Sequence, residues 1–372
     1  MKIPLDPPLI KGEDKKERSK FPPLKKGGQG GFSCAGTTLA SVMSVYECIK
    51  NGALKERSHR SMTAGGFGVL RGNHRLRLFL VVIVLVMILR PGAAPCATFE
   101  DALGREVVIP RSPMRIVPLA PSLTEILYYL GLGDRVVGVT NHCNYPPEAA
   151  LKPKVGSYIN LNVERIVSLA PDLVIGTVDG NEKIVVEILE HAGIPVYVVN
   201  PRNVREAVET INRLGDVCAL GEKGKSLAQA LAVRVDRVVE KTDGLKKPLV
   251  FLQIHLHPIM SINRQTIHHD LIRLAGGKNM TAGEPITYPR ISIEEIIRRR
   301  PEIILISSME RGGRFEKARE DWLKWTIIPA VKNGRVHLID SDLIDRPAPR
   351  VVDGLETMAG LIHPEIEWAS KQ

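Results

Sequence analysis

The chain has 372 residues, room for roughly two domains of ordinary size, and a formal net charge of +10. The charge is not spread evenly: of 51 Lys/Arg and 41 Asp/Glu, residues 1–97 carry 16 and 6, which leaves 35 of each in residues 98–372. A neutral body has no general electrostatic footprint for a phosphate backbone, so a nucleic-acid partner is excluded and the basic character belongs to the leader.

Within residues 1–70, Pro7-Pro8, Phe21-Pro22-Pro23 and the run Lys25 to Gly31 show neither helical nor strand periodicity, and this leader cannot build a core. Residues 71–97 have the order of a secretory signal. Arg71, Arg75 and Arg77 precede 12 apolar residues, Leu78 to Leu89, and small residues follow up to Ala97, near which cleavage is expected. The apolar run is short of the roughly 18–20 residues that a bilayer span needs. An uncleaved anchor, giving a membrane-anchored form, is the alternative. Cys96 raises lipid attachment, although Pro95 before it fits that processing poorly. A signal belongs at an N-terminus, so translation is expected to start late, with Met62 the candidate.

Beyond the leader, strand and helix alternate. Glu106–Ile109 is a short strand. Arg115–Ala120 is a buried strand that runs into a helix, for which Ser122-Leu123-Thr124-Glu125 reads as a capping box. Gly131-Leu132-Gly133 stops that helix, and Val136–Thr140 is the next strand. A helix over Glu182–Ala192 and a strand over Val196–Val199 complete the first lobe. From Ala219 to Thr242 no Pro occurs, and Leu227, Leu231, Val235 and Val238 recur at helical spacing. The spacing predicts one helix of about six turns. The second lobe repeats the order: strand Leu249–Ile254, helix Ile267–Leu274, helix Ala318–Trp325, strand Val336–Ile339 and a C-terminal helix. The alternation argues for largely parallel α/β sheets.

One stretch occurs twice. Asn162 to Ile175 returns about 130 residues later as Ser292 to Leu305. Each copy has an N-cap residue, a first-turn Glu (Glu164, Glu294), a Pro that ends the helix (Pro171, Pro301), an acid and a buried strand. Two distant copies suit two similar lobes with a ligand cleft between them rather than a solenoid. The expected fold is therefore α/β: two lobes with mainly parallel sheets joined by one long backbone helix. The boundaries are 98–215 for the first lobe, 216–245 for the helix and 246–372 for the second lobe. A helical connector bends less than paired extended strands, so lobe movement on binding is expected to be small.

These motifs carry a resemblance. Ala120-Pro121-Ser122-Leu123-Thr124-Glu125, Asn144-Tyr145-Pro146-Pro147-Glu148-Ala149, the duplicated segment, the long helix and Ser341 to Arg350 are similar to the helical-backbone periplasmic substrate-binding proteins of ABC importers. The similarity is greatest to the cobalamin-binding branch and covers nearly all of residues 105–365. It implies an exported, monomeric, non-enzymatic receptor with no cofactor of its own. Its ligand would be a corrinoid, or otherwise a ferric siderophore or haem, and its partner an inner-membrane ABC permease dimer. In the family one exposed Glu on each lobe docks onto permease arginines, and Glu164 and Glu294 hold those positions. A lone first-turn Glu is explained by the helix macrodipole, whereas a matched pair suits a two-fold partner. The resemblance places His142, Tyr145, Tyr158, Asp342 and Arg346 at the ligand. His142 stands where the cobalamin branch has an aromatic residue, and its imidazole could stack on a macrocycle or serve as an axial ligand of its metal. A chelatase-like enzyme or metal chaperone is the alternative of another class, which the export signal disfavours.

Other signals carry less. Ala219 to Ser226 fits a permissive phosphate-loop pattern, but what precedes it reads as helix where that motif needs a strand. His255, His257, His268 and His269 are metal-ligand types on loop or surface segments. Cys143 and Cys218 lack CxxC spacing and are either one disulfide or two separate thiols.

Overall fold

The computed structural model describes residues 96–307 and 314–368. The expected leader, the start at Met62 and the signal segment up to residue 95 lie outside them. The first described element is a hairpin, β1 (Cys96–Glu100) antiparallel to β2 (Glu106–Pro110), with Ala97 opposite Ile109. Sequence reading finds β2 but misses β1, because Cys96 and Ala97 read as the end of a signal. A cut after Ala97 would leave the three rungs from Thr98 to Glu100.

The first lobe's sheet is parallel, in the order β3 (Ile116–Pro118), β4 (Leu173–Thr177), β5 (Val196–Val199). Helices α1 (Pro121–Tyr129), α2 (Val163–Ser168) and α3 (Lys183–His191) connect its strands. The strand expected over 136–140 is reduced to two bridges, Ile116 with Val136 and Val139 with Lys154. A backbone that changes partner within three residues cannot build a continuous ladder. Two long helices follow, α4 (Val204–Val217) and the spine α5 (Glu222–Thr242).

The second lobe's parallel sheet has the order β7 (Lys278–Asn279), β6 (Leu249–Gln253), β8 (Ile303–Ile306), β9 (Val336–Leu338). Its helices are α6 (Ile267–Leu274), α7 (Ile293–Arg299), α8 (Arg314–Leu323), α9 (Pro329–Lys332), α10 (Ser341–Ile344) and α11 (Val351–Ile362). Val136 sits beside β3 as β7 sits beside β6, each an edge next to its lobe's opening strand. The two halves thus share strand order as well as chain order.

Side chains alternate along the inner strands, as period-2 geometry requires. Leu173 and Ile175 of β4, Val250 and Leu252 of β6, and Ile303 and Leu305 of β8 enter one core common to both lobes. Val174 turns to a separate core of the first lobe, and Phe251 and Ile304 to one of the second. The common core also takes Leu231, Val235 and Val238 of the spine, Leu214 of α4 and Met358 of α11. The lobes are therefore joined by shared apolar packing, and opening them would expose it to water.

The spine is 21 residues, about six turns and roughly 30 Å long. It starts later than residue 216, because α4 occupies the chain up to Val217 and Gly221, at φ +46, turns it into α5. The residues that mimic a phosphate loop lie in this turn and the first turn of α5, preceded by a helix. Gly224 has a packing role. A Cβ placed on it would lie 2.8 Å from the Cα of Gly215, so the α4–α5 crossing needs glycine on both helices.

Cys143 and Cys218 are separate buried thiols. The Cys143 Sγ lies 3.1 Å from the hydroxyls of both Thr124 and Thr140. Burial, partly offset by Arg135, pushes the Cys218 thiol up to about 12.

Gly224→Val should destabilise the fold by about 1–3 kcal/mol through overpacking of the helix crossing. A thermal unfolding midpoint equal to that of the wild type would show that the crossing is not tight.

Candidate functional site

In parallel α/β sheets, ligands collect beyond the carboxyl ends of the strands. In the first lobe that edge is organised by Asn181. Its amide donates to the carbonyls of Leu119, just past β3, and of Tyr158, both at 3.1 Å. Its side-chain oxygen accepts from the Thr177 N–H at the end of β4, at 2.8 Å. This fixes the loop carrying Tyr158, whose hydroxyl donates to the Asp179 carbonyl. Asp179 in turn pairs with Arg202 at 2.8 Å. Burial pushes the Tyr158 phenol up to about 12, with Asp179 and Tyr288 adding to the effect.

Tyr288 belongs to the second lobe. Burial raises its phenol too, followed by the influence of Asp179 from the opposite lobe and of Asp345 from its own. Two tyrosines, one from each lobe, therefore lie within electrostatic range of each other. Tyr288 and the neighbouring Ile286 are exposed, as is Ile159 beside Tyr158. Both lobes thus expose aliphatic side chains beside these tyrosines, a surface type suited to a large flat ligand.

Deeper in the junction is a charge network. The Glu125 side chain is 2% exposed, and its partners all come from the other lobe. Arg346 Nη1 donates to Glu125 Oε1 at 2.8 Å, Arg350 Nε to Oε2 at 2.8 Å and Arg350 Nη2 to Oε1 at 2.7 Å. Arg346 also donates to Asn144 Oδ1 at 2.8 Å and pairs with Asp342 at 2.9 Å, and its Nη2 reaches the His142 carbonyl at 3.5 Å. The Asn144 amide donates to Asp342 Oδ2 at 3.3 Å. Burial opposes the charge on Arg350, but the hydrogen bond and charge of Glu125 outweigh it and hold the guanidinium above its ordinary value.

The capping box therefore needs correction. Pro121 is the first helical residue of α1, Ala120 is its N-cap, and no side chain caps it. Proline favours that first position, which places Ser122 inside the helix and frees Glu125 to face the junction. Pro121 was the sequence signal that could have revealed this. Sequence reasoning gives neither Tyr288 nor Arg350 a role.

The expected ligand residues divide by place. His142 is exposed, and Asp342 and Arg346 join the junction network. Tyr158 lies on the first lobe's rim. The Tyr145 ring lies 3.9 Å from the Arg350 guanidinium and lines a cavity of about 290 Å³ with Tyr128, Tyr129, Arg234 and Asp353, against the spine.

The two matched acids are topologically equivalent. Glu164 is in the first turn of α2, which leads into β4, and Glu294 is in the first turn of α7, which leads into β8. Asn162 caps α2 by accepting from Arg165 N–H at 2.7 Å, and Ser292 caps α7 by accepting from Glu295 N–H at 3.2 Å. Both acids are exposed, and neither is in an ion pair among the described residues. The Glu294 carboxyl is held below the usual range by its own backbone N–H and the Ser292 hydroxyl. The adjacent Glu295 is engaged by Arg298 and Arg299, whose hydrogen bonds pull it to about 2.

The histidines do not converge. His255 Nδ1 is 3.0 Å from the Pro258 carbonyl, His268 Nε2 is 2.7 Å from Asp345 Oδ1, and His269 faces Asn279. Among the described residues no group of three or more His, Cys, Asp or Glu is placed to hold a metal ion.

Residues 116–343 match the model of a family described as periplasmic binding protein. The chain belongs to that family. It is 33% identical over 275 residues to an ABC transporter substrate-binding lipoprotein of Bacillus subtilis, covering 72% of this chain and 86% of that one. The crystal structure of a periplasmic vitamin B12-binding protein of Vibrio cholerae superposes with a TM-score of 0.61 and 28% identity, over 68% of this chain and 97% of the other. A periplasmic haem-binding protein of Roseiflexus, at 24% identity, shares the fold with a TM-score of 0.61 over 67% and 98% of the two chains. Family members are substrate-binding proteins of ABC transporters that work with a membrane permease. No helix among the described residues is long and apolar enough to cross a membrane.

Proposed function

We propose that this chain captures a cobalamin-type corrinoid between its lobes and delivers it to an inner-membrane ABC permease, without making or breaking a bond. The observation that carries the reading is the lobe junction. Tyr158 and Tyr288 come from opposite lobes and lie within electrostatic range of each other, and across the junction Glu125 and Asp342 match Arg346 and Arg350 in charge. A corrin ring has broad apolar faces for the first feature and amide side chains for the polar groups beside it. His142, exposed and next to Arg346, is placed to meet the ligand and would be its axial contact if the cobalt were open. The relative that binds vitamin B12 supports the same ligand class.

Haem or a ferric siderophore is the second reading, favoured by tyrosine and histidine as iron-ligand types. The Tyr158 hydroxyl donates to the Asp179 carbonyl and would have to give up that bond to ligate iron. Titration calorimetry with cyanocobalamin, haem and one ferric siderophore separates the two. Cyanocobalamin should bind at least about tenfold more tightly than either iron complex, a difference of about 1.4 kcal/mol. Stronger binding of an iron complex would replace the corrinoid reading with the second one.

Docking on the permease is assigned to Glu164 and Glu294. Matched, exposed anions at equivalent helix starts suit a two-fold cationic partner. The double variant Glu164→Ala with Glu294→Ala should abolish transport while leaving the calorimetric affinity within about twofold. Loss of affinity would place these carboxylates in the ligand site instead.

A further inference from the structure

The arginines of the lobe junction invite an anionic ligand, but the structure leaves them no unmatched charge. Glu125 accepts from both Arg346 and Arg350, and Asp342 takes a second contact from Arg346. The neighbouring arginines are paired as well. Arg202 pairs with Asp179 at 2.8 Å, and Arg234 of the spine, which lines the same cavity as Arg350, pairs with both Asp353 and Glu356 at 2.6 Å, one carboxylate in excess. The Arg346 and Arg350 side chains are only 15% and 16% exposed, so solvent screens this balance weakly. A ligand carboxylate entering here would have to compete with a fixed carboxylate for the same guanidinium protons.

We propose that Glu125 is a specificity-determining residue: by neutralising, together with Asp342, the Arg346 and Arg350 pair across the lobe junction, it makes the cleft select a net-neutral metal chelate over a carboxylate-bearing one. The inference rests on the chelate-capturing function proposed above. Selectivity here arises from denying the competitor a cation rather than from an added contact to the preferred ligand. Glu125 need not touch the ligand, because it acts through Arg346, which borders His142 and Asp342.

Two substitutions of opposite charge test this. Glu125→Gln adds one positive charge to the junction and Arg350→Gln removes one. Calorimetry with cyanocobalamin, which is neutral overall, and haem, which carries two propionates, gives a ratio of dissociation constants for each protein. Glu125→Gln should shift the ratio toward haem by about tenfold, and Arg350→Gln should shift it away from haem by a similar factor. General loosening of the junction would move both variants the same way. Shifts in the same direction, or an unchanged ratio in both, would overturn the proposal. If Glu125→Gln does not fold, Arg350→Gln decides alone: a shift away from haem supports the inference, and no shift or the reverse overturns it. Wild-type protein that binds neither macrocycle would overturn the functional reading itself, and this inference with it.

Discussion

A buried carboxylate that answers two arginines from the other half of the molecule is the contact on which the arrangement of this protein depends. Glu125 lies in the first helix of one lobe, and Arg346 and Arg350 lie more than 200 residues later in the other. Taking three charges out of water is costly, and mutual attraction offsets the cost only when the geometry is good and the remaining protons are satisfied. Here Asn144, Asp342 and the Tyr145 ring take up what Glu125 leaves. Such a network is a weak source of net stability but a strict geometric requirement. It holds only when the lobes meet at one angle.

That requirement acts together with the apolar packing. The inner faces of both sheets and the buried side of the spine share a single core, so neither lobe has an independent inner surface on which to turn. The proposed ligand region lies where this rigidity is useful. The loop pinned by Asn181 carries Tyr158, which lies within electrostatic range of Tyr288 on the other lobe. Binding at the proposed site would draw on a preformed surface and spend little on rearrangement, which is the physical advantage of a preorganised site.

Much of this was legible in the sequence because the underlying signals are local. The duplicated segment carries its own caps, helix and strand, and Asn162 and Ser292 cap as their residue types suggest. The helix pattern from 219 to 242 gave the spine to within three residues at its start. What failed was non-local or depended on competition. Val136–Thr140 has strand composition, but Val136 and Val139 take different partners and no ladder forms. Ser122 and Glu125 have capping-box spacing, but Pro121 claims the first helical position. The charge network was invisible because its members lie far apart in the chain. Arg346 was picked out only through resemblance, and Glu125 was assigned to its own helix. The short or edge elements that were missed, such as β7 and α10, bury too few residues to leave a periodic signature.

The central claim is that two lobes held at a preset angle trap a metal chelate where they meet. A crystal structure of the protein with cyanocobalamin tests it most directly. The corrin ring should lie between Tyr158 and Tyr288, with Glu125 still hydrogen-bonded to Arg350. A corrinoid seated away from the junction, or lobes rotated so far that Glu125 and Arg350 separate, would contradict it.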